Sequence, residues 1–90
     1  MKVAIIGQGY VGLTISVFAA EHHHVTGFDL NSIVVDQLNK GISHIEGVAS
    51  SEIQKAISSG RYKATTDGIL IAESEIVVIA VLRIMCELIF

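Results

Sequence analysis

Four consecutive apolar residues, Val3 to Ile6, run directly into Gly7-Gln8-Gly9-Tyr10-Val11-Gly12. An unbroken apolar run of this length fits a strand buried on both faces, as in a parallel sheet. Beyond it, Val11, Ile15, Phe18 and Ala19 recur at spacings of three and four. That period predicts a helix from about Tyr10 to Glu21 with those side chains on its apolar face. Strand, glycine turn and helix together assign each glycine a task. Gly7 permits the tight turn, Gly9 lets the main chain approach a ligand, and Gly12 lets the helix pack close to the strand.

The rest of the chain repeats the alternation. Val25 to Phe28 reads as a second strand that ends at Asp29. Asn31 or Ser32 caps a helix of about Ile33 to Asn39, with Ile33, Val34 and Leu38 inward, and Gly41 follows as a left-handed cap. Ser50 or Ser51 caps a helix of about Glu52 to Ser59, with Ile53, Ala56 and Ile57 inward. Tyr62 to Thr65 is a short strand, Asp67 caps a brief helix of about Gly68 to Glu73, and Ile76 to Leu82 is the strongest strand signal. Such alternation implies α/β architecture with right-handed crossovers. The expectation is a partial Rossmann fold, a parallel sheet of about four strands in the order 3-2-1-4 flanked by helices.

In that setting the glycine turn is a site for an anion, because the first N–H groups of the helix and its dipole point at it. Asp29 lies 22 positions after Gly7, at the end of the second strand. A carboxylate there accepts hydrogen bonds from the ribose hydroxyls of an adenosine and repels a 2′-phosphate, which favours NAD over NADP. The glycine loop is shared with FAD-binding proteins and does not by itself separate the two dinucleotides. The expected cofactor-binding residues are Gly7, Gly9, Tyr10, Val11, Gly12 and Asp29, with Tyr10 acting through its main-chain N–H.

Charge and size close off other classes. Six basic against nine acidic residues, with no basic run, leave no electrostatic footprint for nucleic acid. The longest apolar run is far short of the ~20 residues that span a bilayer, so no membrane partner is expected. One cysteine, Cys86, excludes an internal disulfide, and a reduced, cytoplasmic setting is expected. His22, His23 and His24 are read as a solvated helix end, since adjacent side chains diverge and no fourth ligand stands nearby, and no metal is expected. Thr65 and Thr66 sit where ligands collect at the ends of strands, with a plain strand-end role equally open, and His44 with Glu46 is read as a structural loop pair.

The stretches "VAIIGQGYVGL" (Val3 to Leu13), "GFDLN" (Gly27 to Asn31), "LNKGISHIEGV" (Leu38 to Val48), "SGRYKATTD" (Ser59 to Asp67) and "ESEIVVIAV" (Glu73 to Val81) resemble the start of the UDP-glucose/GDP-mannose dehydrogenase family. His44 to Glu46 resembles bacterial UDP-N-acetylglucosamine 6-dehydrogenases in particular. The resemblance implies NAD as cofactor and a family reaction that takes the C6 hydroxyl of a UDP-sugar to a carboxylate with two NAD. It implies a cytoplasmic oxidoreductase of polysaccharide biosynthesis. It covers an N-terminal part of the NAD domain, residues 1–81, and leaves 82–90 as an unmatched apolar tail.

The family's nucleophilic cysteine and its supporting residues lie beyond this length. No catalytic residue is therefore expected here, Cys86 included, and the chain alone is expected to be inactive. A UDP-sugar would be a partner only in a full-length parent. Three departures stand out: Leu82, Arg83 and Ile84 where the family has Pro-Thr-Pro, Val34 where many members have lysine, and His22 and His23 where glycine commonly ends the first helix. The first reads as a truncated or frameshifted frame. The third calls for a left-handed residue in that turn. A fourth strand left as an apolar sheet edge predicts self-association. A non-catalytic NAD- or nucleotide-sensing module and a gene remnant remain as alternative readings.

Overall fold

In the computed structural model, which describes residues 1–80, β1 (Lys2–Ile6) is a central strand. It pairs in parallel with β2 (His24–Phe28) on one side and with β4 (Ile76–Ile79) on the other. β3 (Tyr62–Thr65) adds to β2 in the same direction, so the order is β3-β2-β1-β4, the order expected of half a doubly wound fold. Val3 lies opposite Val25 and Ile76, and Val25 lies opposite Tyr62. This register puts Val3, Ile5, Val25, Tyr62 and Ala64 on one face.

That face carries the core. Leu13 from α1 (Tyr10–Ala19), Val35 and Leu38 from α2 (Ser32–Asn39), and Ile53 and Ala56 from α3 (Ser50–Ser58) pack with it. Val48 closes the loop between α2 and α3 over the same cluster. A 3-10 turn of helix, Gly68–Glu73, leads into β4, and Asp67 caps it by accepting from the Ile69 N–H. Asn31 caps α2 by accepting from the N–H groups of Ile33 and Val34, and Gly41 takes the left-handed φ of +78° expected after it. Among the described residues, no helix is long and apolar enough to cross a membrane.

Several local expectations are corrected. The buried side of α1 is Gly12, Leu13 and Ser16, followed by Ala20, whereas Val11, Ile15 and Phe18 are exposed and Ala19 is half-buried. The close approach of Gly12 to the glycine turn fixes the rotation of this helix, and that contact overrides the apolar period. On α2, Val35 is buried and Ile33 exposed, with Val34 half-buried. α3 starts at Ser50, ahead of the expected start, so its N-cap is Ala49, whose methyl cannot accept a hydrogen bond, and the Ser50 hydroxyl accepts from the Ser43 N–H. The turn after α1 needs no left-handed residue: Ala20 stays right-handed, and the N–H groups of His22 and His23 both donate to the Ala19 carbonyl. The tail, with Leu82 to Ile84 and Cys86, lies outside the described residues.

The two sheet edges differ. On β3, the Asn39 amide donates to the Ala64 carbonyl and accepts from the Ala64 N–H, both at 2.9 Å. A side chain thus occupies the edge where another strand would pair. On β4, Ile76, Val77 and Ile79 are exposed, Ile79 by 68%. Among the described residues only β1 pairs with β4.

Candidate functional site

The site lies at the carboxyl ends of β1 and β2, beside the point where the strand order reverses between β1 and β4. Ligands collect in such a crevice in open α/β sheets. Gly7 leaves β1 with a φ of +93°, a left-handed conformation that a side chain resists, and its N–H donates to the Phe28 carbonyl at 2.7 Å. The turn is thereby tied to the end of β2. Gly12 sits so close beneath it that a Cβ there would overlap the Gly7 carbonyl oxygen.

Between these two glycines the chain opens α1 with free donors. Gly9 is the N-cap, it carries no side-chain cap, and the first helical bond runs from the Leu13 N–H to the Gly9 carbonyl. The N–H groups of Gly9, Tyr10, Val11 and Gly12 therefore have no partner within the helix. A Cβ on Gly9 would meet nothing within 4 Å, so the space beside Gly9 is open. No acidic residue lies in the first turn to repel an anion.

Asp29 follows β2 directly. Its Oδ2 accepts from the Gln8 N–H and its Oδ1 from the Asn31 N–H, both at 2.9 Å. These bonds fix the carboxylate beside the glycine turn. Each oxygen retains acceptor capacity for a hydroxyl. The group is half-buried, within reach of a bound molecule. Unpaired main-chain donors and a carboxylate acceptor thus stand side by side across one glycine turn, an arrangement whose chemistry suits a ligand carrying both phosphates and hydroxyls.

The structure brings Gly7, Gly9, Gly12 and Asp29 together, with Tyr10 and Val11 contributing main-chain N–H groups at the same helix end. The Tyr10 side chain is exposed and turns away toward Gly47 in the loop after α2. Thr65 serves its strand end: its hydroxyl accepts from the Asp67 N–H, and its carbonyl accepts from the Asp29 N–H. His44 and Glu46 are exposed on the loop. Among the described residues, no group of three His, Cys, Asp or Glu could hold a metal ion.

Three residues at the site escape sequence reasoning. Gln8 is fully buried, and its side chain meets Ser16 and Tyr62 beneath the loop. Burial first, and the Asp29 charge second, push the Tyr62 hydroxyl well above the usual tyrosine range, so it remains a donor. A polar residue between two loop glycines is the one local signal that could have drawn attention to Gln8.

Comparison with known proteins identifies the family of this domain. The profile of the UDP-glucose/GDP-mannose dehydrogenase family, NAD binding domain, matches residues 1–82. The chain is 40% identical over 82 residues to the UDP-N-acetyl-D-mannosamine dehydrogenase of Campylobacter jejuni, covering 89% of this chain and 19% of that protein. It is 39% identical over 69 residues to the GDP-mannose 6-dehydrogenase of Pseudomonas syringae, covering 74% of this chain and 16% of the relative. Among solved structures, a ternary complex of GDP-mannose dehydrogenase from Pseudomonas aeruginosa superposes with a TM-score of 0.83 at 31% identity, over 89% of this chain and 19% of that one. The chain thus spans less than a fifth of the length of these relatives.

Proposed function

The chain belongs to the UDP-glucose/GDP-mannose dehydrogenase family, whose NAD-binding domain it carries, and on that premise we propose that it is the cofactor-holding part of a nucleotide-sugar 6-dehydrogenase. The observation that carries this reading is the juxtaposition of the uncapped start of α1 with the Asp29 carboxylate across one glycine turn. The N–H groups of Gly9 to Gly12 hold the pyrophosphate, and the open space at Gly9 admits it. Asp29 accepts from the adenosine ribose and disfavours a 2′-phosphate there. Bound NAD supplies the hydride acceptor for oxidation of the sugar. The working setting is the cytoplasm, in polysaccharide biosynthesis. Calorimetric titration with NAD, with NADP and FAD as controls, tests the assignment. Saturable binding selective for NAD is expected, and a folded chain that binds none of the three would overturn it.

The oxidation itself requires groups that this chain does not supply. The 90 residues alone are therefore expected to form no NADH with UDP-N-acetylglucosamine, UDP-N-acetylmannosamine or GDP-mannose. Growth of NADH absorbance with any of them would reverse that conclusion.

Self-association through β4 belongs to the same proposal. The Asn39 side chain occupies the β3 edge, while β4 presents apolar side chains beside an edge no described strand covers. Light scattering after size exclusion should show mass rising with concentration. Ile79→Lys should shift the chain toward monomer, since a charge at an edge disfavours pairing. A parent chain that stays monomeric at high concentration would count against the edge.

A further inference from the structure

We propose that Gln8 is a positioning residue for the cofactor site, locked by Tyr62 so that its main-chain N–H holds Asp29 ready for the adenosine ribose. The inference rests on the reading of Asp29 as the ribose acceptor.

The Gln8 side chain is a fully buried primary amide, and such a group is costly unless its donors and acceptors are met. Its Nε2 donates to the Ile5 carbonyl at 3.0 Å and the Gly7 carbonyl at 3.2 Å. Carbonyls only accept, so the amide has one possible orientation. Its Oε1 then faces two hydroxyls, Tyr62 at 2.8 Å and Ser16 at 3.0 Å. Ser16 has one proton, and the Gly12 carbonyl competes for it at 2.8 Å. Tyr62 is the donor committed to Oε1, and it reaches across from β3, 54 positions along the chain.

The reach passes over Gly27 in β2. A Cβ there would overlap Gln8 Oε1 and lie 2.9 Å from the Tyr62 hydroxyl. One amide thus gathers the end of β1, the gap in β2, the tyrosine of β3 and the serine of α1. The same residue's N–H donates to Asp29 Oδ2 at 2.9 Å. The side chain fixes the orientation of the peptide, and the peptide holds the carboxylate.

Four proteins test this by NAD titration of the 90-residue chain: parent, Tyr62→Phe, Asp29→Ala and the double variant. Tyr62→Phe should weaken NAD by about fivefold to tenfold, the worth of one buried hydrogen bond. In the Asp29→Ala background it should cost nothing further, because the path to the ligand is already cut. Gln8→Met, of similar length without polar ends, should reproduce the Tyr62→Phe loss and show the same coupling should Tyr62→Phe fail to fold. Losses that add across the pair, or a Tyr62→Phe protein that binds like the parent, would reduce Gln8 and Tyr62 to core packing. An Asp29→Ala chain that binds NAD like the parent would instead overturn the ribose reading itself.

Discussion

Gly12→Ala is expected to unfold the chain or to destabilise it by ~3 kcal/mol or more, with NAD binding lost as a consequence. The added Cβ would overlap the Gly7 carbonyl oxygen, lie 2.8 Å from the Gly7 carbonyl carbon and touch the Ala80 Cβ at 3.4 Å. The first two are backbone atoms in a turn tied to β2, and no rotamer change moves them aside. A domain of this length has roughly 5–13 kcal/mol of stability in all, so one such clash consumes a large part of it. Gly9→Ala should behave in the opposite way. Its Cβ would meet nothing within 4 Å and its φ of −81° suits any residue, so the fold should hold to within about 1 kcal/mol. In the proposed reading that methyl would stand in the path of the pyrophosphate, and NAD binding should fall. Thermal melting and calorimetry on both variants separate the two roles. A Gly12→Ala chain that melts like the parent would show that helix and turn are not in the contact described.

The contrast between the glycines marks what a single sequence displays. Gly7 and Gly12 are legible because their tasks are local: a turn and a packing contact lie within six residues. Asp29 is legible because a strand that starts beside β1 must end beside the loop. The parallel sheet follows from alternation and the handedness of crossovers, and the order β3-β2-β1-β4 is that of half a doubly wound nucleotide fold. The rotation of α1 is not legible in the same way. Val11, Ile15 and Phe18 make the better apolar stripe, but backbone contact at Gly12 decides which side faces the sheet. Ser50 illustrates a different limit: the helix starts at Ser50 itself, so Ala49 stands at the cap, and the Ser50 hydroxyl serves the Ser43 N–H in the preceding loop. Gln8 was hidden for a third reason. The motif treats its position as free, and its decisive partner, Tyr62, lies on another strand. Only the fold brings the two together.

Asp29→Asn should weaken NAD by about tenfold to a hundredfold, as expected when charge-assisted hydrogen bonds are lost. It should weaken NADP much less, so that preference for NAD narrows. The local geometry explains why the near-isosteric amide is a poor substitute. Both carboxylate oxygens face N–H donors, Gln8 on Oδ2 and Asn31 on Oδ1. An asparagine has one oxygen and one NH2 group, so in either orientation a donor faces a donor. The side chain must swing away or leave a main-chain N–H unpaired, and the glycine loop loosens before any ligand arrives. A drop of about 1–2 kcal/mol in stability should accompany the loss of affinity. The removed charge also ceases to oppose a 2′-phosphate, which is why NADP suffers less. Titration with both dinucleotides and a melting curve therefore read two jobs of one carboxylate. If stability falls while the ratio of the two affinities stays as in the parent, Asp29 holds the loop but does not read the ribose. If the ratio narrows as well, the carboxylate that ties the loop together also selects the cofactor.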